Sequence, residues 1–135
     1  MYNNILVPVV LDHSRNVEAA IDVARQLSDE GATVTLLHVV ETIPDYVSEY
    51  LPPDVIRKRH EEMEADLAAL TKTLDGAKAA VVQGRAGHEI TSHADTHGCD
   101  CIVIASHAPE LADILLGSTA NYVVRHAKCA VHVLR

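Results

Sequence analysis

The amino-acid sequence predicts an α/β fold, a single doubly wound domain with a parallel sheet and helices on both faces. Five short apolar segments alternate along the chain with four segments whose apolar residues recur at helical spacing. The apolar segments are continuous runs rather than alternating patterns, which is typical of strands buried on both faces. Right-handed crossovers between such strands restrict the topology to a doubly wound sheet.

The first half of the chain supplies two strands and two helices. Asp12 and Ser14 follow the first apolar run and are residue types that cap helix starts. Gly31 tolerates the left-handed backbone that often ends a helix, and Gly76 is expected to do the same for the second helix. We predict a strand over 5–11, a helix from 17 up to Gly31, a strand over 33–40, a proline-containing loop over 41–54 and a helix over 56–74.

The second half of the chain supplies three strands and two shorter helices. Gly98 ends a helix that carries Ile90, Ala94 and His97 at helical spacing. The predicted segments are strands over 79–82, 101–105 and 130–134, and a last helix that opens at Gly117-Ser118-Thr119 and runs to about His126.

Composition and charge restrict the class of protein. The 135 residues suffice for one domain with a hydrophobic core and are too few for two of ordinary size. Acidic residues outnumber basic ones by 19 to 11, the formal net charge is −8, and Trp and Phe are absent. Nucleic acids attract basic clusters with stacking aromatic residues, and anionic membranes attract basic segments, so we expect neither as a partner.

The sequence is typical of a cytoplasmic protein. No apolar run approaches the roughly 18 residues of a membrane span, and the opening Met1-Tyr2-Asn3-Asn4 lacks the basic start of a secretory signal. Cys99, Cys101 and Cys129 are an odd number of cysteines with no CxxC spacing. Paired disulfides are therefore not expected, which fits a reducing compartment.

A ligand site is predicted at one end of the sheet. Ligands of open doubly wound sheets bind beyond the carboxyl ends of the strands, where the strand order reverses. If the first strand lies between the second and the fourth, the segments 8–12 and 105–107 form the two walls of one crevice. Val9 and Val39 at strand ends could sandwich a flat ring, although buried strand residues pack in the same way without a ligand.

A helix start at the same crevice suits an anion. Gly117 allows close approach, Ser118 and Thr119 carry hydroxyls, and the helix dipole places positive charge there. The alternative is that Ser118 only caps the helix, with Gly117 in the preceding turn. The phosphate-loop motifs GxxxxGKS/T and GxGxxG are both absent from the sequence.

Three segments together carry a resemblance to a known family: Asn4-Ile-Leu-Val-Pro-Val10, Leu36-Leu-His-Val39 and the long segment from Ile102 to Ala127. Over its whole length the chain resembles the universal stress protein family, and its Ser-x-x-Pro and Leu-Gly-Ser elements resemble the F/G-type bacterial branch. The resemblance implies one domain over 1–135, of the adenine nucleotide-binding α-hydrolase-like type. It also implies a sheet of order 3-2-1-4-5 and a homodimer.

The resemblance further implies a nucleotide site. Nucleotide-binding members carry a Gly-x2-Gly-x9-Gly-Ser/Thr pattern, and the ends of their first two strands hold adenine and ribose. The implied ligand is ATP or AMP. Glu110 and Asp113 add negative charge near the phosphates, so a divalent cation such as Mg²⁺ would assist a triphosphate. The candidate binding residues are Pro8, Val9, Asp12, Val39, Ala105, Ser106, His107, Gly117, Ser118 and Thr119.

The chain departs from the family's nucleotide pattern at three points. Ala105 and Ala108 replace the two early glycines, and eight residues rather than nine separate Ala108 from Gly117. Val10 replaces the Asp that usually follows the first strand, which removes a hydrogen bond to ribose or adenine. Asp12 is the candidate substitute. The F/G-type branch, whose pattern fits the first two departures, is thought to retain nucleotide binding.

A metal site is one competing hypothesis. His93 and His97 lie four residues apart on one helix face, and His88, Cys99 and Cys101 are near them in sequence. Because the two cysteines alternate, they should point to opposite sides of the sheet if both lie in the strand. Surface histidines and buried small cysteines account for the same residues without a metal.

An enzyme is the other competing hypothesis. It needs a nucleophile or base, and His107 with Asp12 or Ser118 as partner is the candidate. The motifs HExxH and GxSxG are absent from the sequence. We therefore assign no catalytic residue and expect at most slow ATP hydrolysis or self-modification.

The main hypothesis is a stress-response protein that binds ATP or AMP and acts through nucleotide-dependent dimer or partner contacts. The alternative is a nucleotide-independent dimeric interaction module of the same fold. Val10 favours the alternative, and the intact Gly117-Ser118 turn favours the main hypothesis.

Dimerisation follows from the last strand, Ala130 to Leu134, which should be a sheet edge. An unpaired edge is either protected or paired, and pairing with its own copy would be isologous. The loop over 41–54 is expected either to cover the nucleotide or to contact a protein partner, which the sequence does not name.

Overall fold

Five strands and four helices make up the part of the chain that the computed structural model describes, residues 1–9, 16–41, 49–72, 74, 76–106 and 117–135. The elements in chain order are β1 (Tyr2–Pro8), α1 (Asn16–Leu27), β2 (Ser28–Val40), α2 (Pro53–Thr71), β3 (Ala77–Gln83), α3 (Ala86–Thr96), β4 (Cys101–Ala105), α4 (Ser118–His126) and β5 (Ala130–Leu134). The strands form one parallel sheet of order β3-β2-β1-β4-β5. The predicted fold class and strand order are confirmed.

The core consists of two apolar clusters, one on each face of the sheet. Successive residues of β1 point to opposite faces, so that Ile5 and Val7 belong to one cluster and Leu6 to the other. All three side chains are fully buried, and each burial contributes about 1.5–3 kcal/mol. The helices cover the two faces with Ala20, Ile21, Ala24 and Leu67 of α1 and α2, and with Ile90, Ala94, Ala120 and Val123 of α3 and α4.

The first strand, Tyr2–Pro8, begins and ends three residues earlier than the apolar run over 5–11 predicts. Its opening residues are held by Asp100, whose carboxylate accepts hydrogen bonds from the backbone N–H groups of Asn3 at 2.9 Å and Asn4 at 3.0 Å. The Asp100 N–H donates in return to the Asn4 carbonyl oxygen at 2.9 Å. Polar pairing, which hydrophobicity does not reveal, therefore extends the strand.

The end of α1 also differs from the prediction, since the helix ends at Leu27 and not at Gly31. The second strand begins at the next residue, Ser28, and its register with β1 shifts between Tyr2 and Asn4. Gly31 lies in this irregular part of β2 with a φ of 78°. Its tolerance of left-handed backbone therefore serves this irregular part of the strand rather than a helix end.

Two further element boundaries differ from those predicted from the sequence. The third strand, Ala77–Gln83, is longer than the predicted 79–82, and α2 begins at Pro53, inside the predicted loop over 41–54. Residues 42–48 of that loop lie outside the described residues. Within the described ranges, no helix combines the length and the hydrophobicity needed to span a bilayer.

Candidate functional site

A cavity of about 350 Å³ lies at the carboxyl ends of β1, β2 and β4, where the strand order reverses. The strand ends and three helices supply its apolar lining in the described part of the chain. The apolar residues are Pro8, Val9, Leu37, Val39, Ile104 and Ala105 from the strands and Val17, Ala20, Ala86, Ile90 and Ala120 from α1, α3 and α4. We call this cavity the crevice.

Backbone hydrogen bonds fix the two strand ends at the crevice. The Val9 N–H donates to the Leu37 carbonyl oxygen at 2.8 Å, which continues the pairing of β1 with β2 beyond Pro8. The Ser106 N–H donates to the Leu134 carbonyl oxygen at 2.7 Å, which continues the pairing of β4 with β5. The sheet thus sets the position of both strand ends without using the side chains that line the crevice.

The start of α4 closes one side of the crevice. Gly117 is the N-cap residue, with φ −56° and ψ 152°, and its carbonyl oxygen accepts the first helical bond, from Asn121 N–H at 2.8 Å. The Gly117 N–H donates to the Ser106 Oγ at 3.2 Å, which ties the helix start to the end of β4. Ser118 is the first helical residue, and the helix start has no side-chain cap bond. The alternative that Ser118 is the cap is therefore wrong.

This helix start has the features of an anion site. An α-helix leaves its first N–H groups without an acceptor inside the helix, and the dipole adds positive charge at the same end. Gly117, Ser118 and Thr119 all line the crevice, and neither hydroxyl has a hydrogen-bond partner among the described residues. Backbone N–H groups and hydroxyls are consequently available to a ligand there.

His38 is a polar residue of the crevice that the sequence analysis did not select. Its Nδ1 lies 3.1 Å from the Val9 carbonyl oxygen. Because a carbonyl oxygen only accepts hydrogen bonds, Nδ1 must carry the proton and donate. The bond fixes the ring against β1. In the sequence, His38 could have been selected as a site residue because it is a polar residue inside the apolar run over 33–40.

Glu41 is the second polar residue that the sequence analysis missed. It directly follows β2, lines the crevice and is exposed. In the described part of the chain, its carboxylate has no hydrogen bond or ion pair. No periodic pattern marks Glu41 in the sequence, because it stands directly after a strand, where the apolar pattern stops.

The structure brings together seven of the ten candidate site residues on the wall of the crevice: Pro8, Val9, Val39, Ala105, Gly117, Ser118 and Thr119. Ser106 does not line the crevice but supports it through Gly117. Asp12 and His107 lie outside the described residues, as do Val10, Ala108, Glu110 and Asp113. Binding of a nucleotide by these residues stays a prediction.

The histidine pair of the metal hypothesis is a stacked pair on α3. The rings of His93 and His97 lie 3.9 Å apart between centroids at an angle of 17°, and His97 Nδ1 is bonded to the His93 carbonyl oxygen at 2.9 Å. Burial, and then the neighbouring His97, lower the pKa of His93. Among the described residues, no three His, Cys, Asp or Glu side chains are grouped closely enough to hold a metal ion.

Cys99 and Cys101 lie on opposite sides of the sheet, although Cys99 precedes β4 and the predicted alternation within one strand therefore does not apply to it. Cys99 packs in the cluster under α3 and α4, and Cys101 in the cluster under α1 and α2. Burial, followed by the neighbouring Cys129 and Asp100, raises the pKa of both thiols to about 11. Both are therefore protonated at neutral pH and poorly suited to metal binding or nucleophilic chemistry.

The fold and the crevice together define a class: a doubly wound α/β protein with a ligand-sized site where the strand order reverses. Within this class the chain belongs to the universal stress protein family, whose family model matches residues 1–135. The resemblance seen in the sequence is confirmed.

Three similar proteins illustrate the match. Universal stress protein G of Escherichia coli O157:H7 is 31% identical over 142 residues, covering 100% of both chains, which agrees with the predicted F/G-type branch. The solved structure of the hypothetical protein MJ0577 has a TM-score of 0.81 at 29% identity and covers 99% of this chain and 96% of that one. A universal stress protein solved in complex with cAMP has a TM-score of 0.64 at 21% identity, covering 99% and 97%, and shows the fold.

Proposed function

We propose that this universal stress protein binds an adenine nucleotide, ATP or AMP, in the crevice and acts through nucleotide-dependent contacts with its own copy or a protein partner. The single observation that carries the proposal is the combination, in one cavity, of apolar walls and the open start of α4. The apolar walls suit a base, and the open helix start suits phosphates.

The apolar part of the crevice matches a flat aromatic ring. Val9 and Val39 end neighbouring strands, and Ala86 and Ile90 of α3 also line the cavity. Pockets for small molecules typically combine such apolar lining with a few placed polar groups. Burial of a base against these side chains would stabilise binding by about 25 cal/mol for each Å² of apolar surface removed from water.

The phosphate part of the crevice is the start of α4. Helix N-termini that carry glycine and hydroxyl residues bind phosphate through backbone N–H groups and the dipole. Gly117 holds its own N–H toward Ser106, so the groups left for phosphates are the following N–H groups and the hydroxyls of Ser118 and Thr119. The relative in complex with cAMP is an example, in the same fold, of an adenine nucleotide as ligand.

The sheet edge supports the dimer half of the proposal. β5 lies at the edge of the sheet beside β4. Its apolar residues Val131, Val133 and Leu134 are only partly buried. Pairing with the same edge of a second copy would cover them and satisfy the backbone groups of the edge.

Thermal and chemical unfolding with ATP, with AMP and without nucleotide, each with and without Mg²⁺, tests the proposal. A nucleotide at a hundred times its Kd should raise the free energy of unfolding by about 2.7 kcal/mol. Gly117→Val should remove the effect, because the added side chain obstructs the helix start. Its φ and ψ suit a valine backbone, so the variant should still fold.

Ala69→Val is the matched control, since it adds two of the same three carbon atoms at an exposed position of α2. It should leave the nucleotide effect intact. If millimolar nucleotide does not stabilise the wild type, while sedimentation shows a dimer at all nucleotide concentrations, the nucleotide-independent interaction module replaces the proposal.

A further inference from the structure

The polar side chains of the crevice fall into two groups on opposite sides of β1. Ser118 and Thr119 belong to α4, which follows β4, whereas His38 and Glu41 stand at the end of β2. In the sheet, β1 separates β2 from β4. A ligand that reaches both groups must therefore lie across the carboxyl end of β1.

The two groups offer opposite chemistry. The α4 start presents hydrogen-bond donors and positive dipole charge, which favour an anion. Glu41 presents a carboxylate, which only accepts hydrogen bonds and repels phosphate. A ligand that satisfies both must carry its anionic group at α4 and neutral donors at β2.

The Glu41 carboxylate is available to such donors. It lines the crevice, is exposed, and has no hydrogen bond or ion pair among the described residues. The vicinal hydroxyls of a sugar are neutral donors, and one carboxylate can accept hydrogen bonds from both of them. Dinucleotide-binding doubly wound folds use an acidic side chain on a ribose 2′-hydroxyl in this way.

We propose that Glu41 accepts hydrogen bonds from the ribose hydroxyls of the bound nucleotide and makes the crevice selective for ribonucleotides over 2′-deoxyribonucleotides. The inference rests on the proposed function and adds a residue and a selectivity to it. Val10 is apolar and therefore cannot supply a side-chain hydrogen bond to the ribose from the chain segment after β1. The inference assigns this hydrogen bond to Glu41 at the end of β2 instead.

Calorimetric titration with ATP and with 2′-deoxyATP tests the assignment. The wild type should bind ATP about tenfold more tightly, the lower end of what a hydrogen bond to a charged group provides in an exposed position. Glu41→Ala should lose this preference by weakening ATP more than 2′-deoxyATP, which offers Glu41 only the 3′-hydroxyl. Glu41→Gln keeps a neutral acceptor and should retain part of it, since charge-assisted hydrogen bonds are roughly twice as strong.

Two further variants make the experiment decisive. Glu64→Ala removes an exposed carboxylate from α2 and should keep the full preference, which controls for net charge. Asp12→Asn tests the carboxylate that the sequence analysis selected instead.

The inference is overturned if the wild type binds both nucleotides equally, or if the preference persists in Glu41→Ala. Loss of the preference in Asp12→Asn alone would assign the ribose contact to Asp12 instead. Absence of any nucleotide binding by the wild type overturns the proposed function as well. The two failures are therefore distinguishable.

Discussion

The two ends of the sheet differ in whether their polar side chains have hydrogen-bond partners. At the amino end, Asn4 Nδ2 donates to the His97 carbonyl oxygen at 2.9 Å, and its Oδ1 accepts from Cys99 Sγ at 3.6 Å. Asp100 accepts the two backbone bonds that begin β1. At the carboxyl end, the hydroxyls of Ser118 and Thr119 lack partners in the described part of the chain.

The difference separates polar groups that are already satisfied within the fold from polar groups that are open to a ligand. A part-buried polar group that is already satisfied contributes to stability, and its removal leaves a partner unsatisfied. A polar group on an open cavity contributes little to stability and is available for binding. Substitutions at the amino end should therefore change unfolding, and substitutions at the crevice should change ligand affinity.

The largest effect on stability is expected from Asp100→Ala. The change leaves the N–H groups of Asn3 and Asn4 without their acceptor. Water can replace the exposed bond to Asn3, but the bond to Asn4 is part-buried, so the expected cost is about 2 kcal/mol. Urea unfolding measures this loss, and nucleotide affinity should stay unchanged. Asp95→Ala is the control, because in the described part of the chain the Asp95 side chain makes only an exposed contact of 3.4 Å with Lys128, worth about 0.5 kcal/mol or less. Equal losses in the free energy of unfolding for the two variants would contradict the stabilising role of Asp100 at the amino end of the sheet.

A smaller effect is expected from Gly87→Ala at the crevice end. A Cβ on Gly87 would lie 2.7 Å from Cδ1 of the Tyr122 ring, so α3 and α4 must separate slightly. Overpacking of this kind costs about 1–3 kcal/mol, and the better helix propensity of Ala returns about 1 kcal/mol. We expect a net loss near 1 kcal/mol in urea unfolding, with weaker nucleotide binding because α4 is displaced. Unchanged binding would show that the spacing of the two helices does not set the site.

The smallest effect on stability is expected from Ser118→Ala. Its side chain is exposed and caps nothing, so the free energy of unfolding should change by less than about 0.5 kcal/mol. The affinity for ATP should nevertheless fall several-fold in calorimetric titration, because a hydroxyl donor to phosphate is lost. Ser92→Ala, an exposed serine of α3, should change neither quantity. A large loss of stability in Ser118→Ala would remove the distinction between the two ends.

Much of the fold was predictable because burial on both faces leaves a continuous apolar run, as in Cys101–Ala105, where the prediction and β4 coincide. The boundary of β1 was not, since it depends on Asp100, which is distant in sequence. The boundary of α1 was not, since β2 begins directly after it with an irregular segment that the sequence pattern did not mark. In the crevice, strand ends and a helix start were predictable from topology. Glu41 was missed because a lone polar residue after a strand end has no periodicity to mark it, whereas His38 was missed although it interrupts an apolar run.

The hydrogen bonds of Ser106 have a consequence for communication within the molecule. Its hydroxyl holds the Gly117 N–H at the helix start, and its own N–H holds the last residue of β5, the edge strand. One residue therefore links the helix start at the crevice to the edge strand, which we propose as the surface for a second copy. If a ligand in the crevice raises the affinity between two copies by some factor, association of the copies must raise the affinity for the ligand by the same factor. Protein concentration would then act on such a molecule as an effector in its own right.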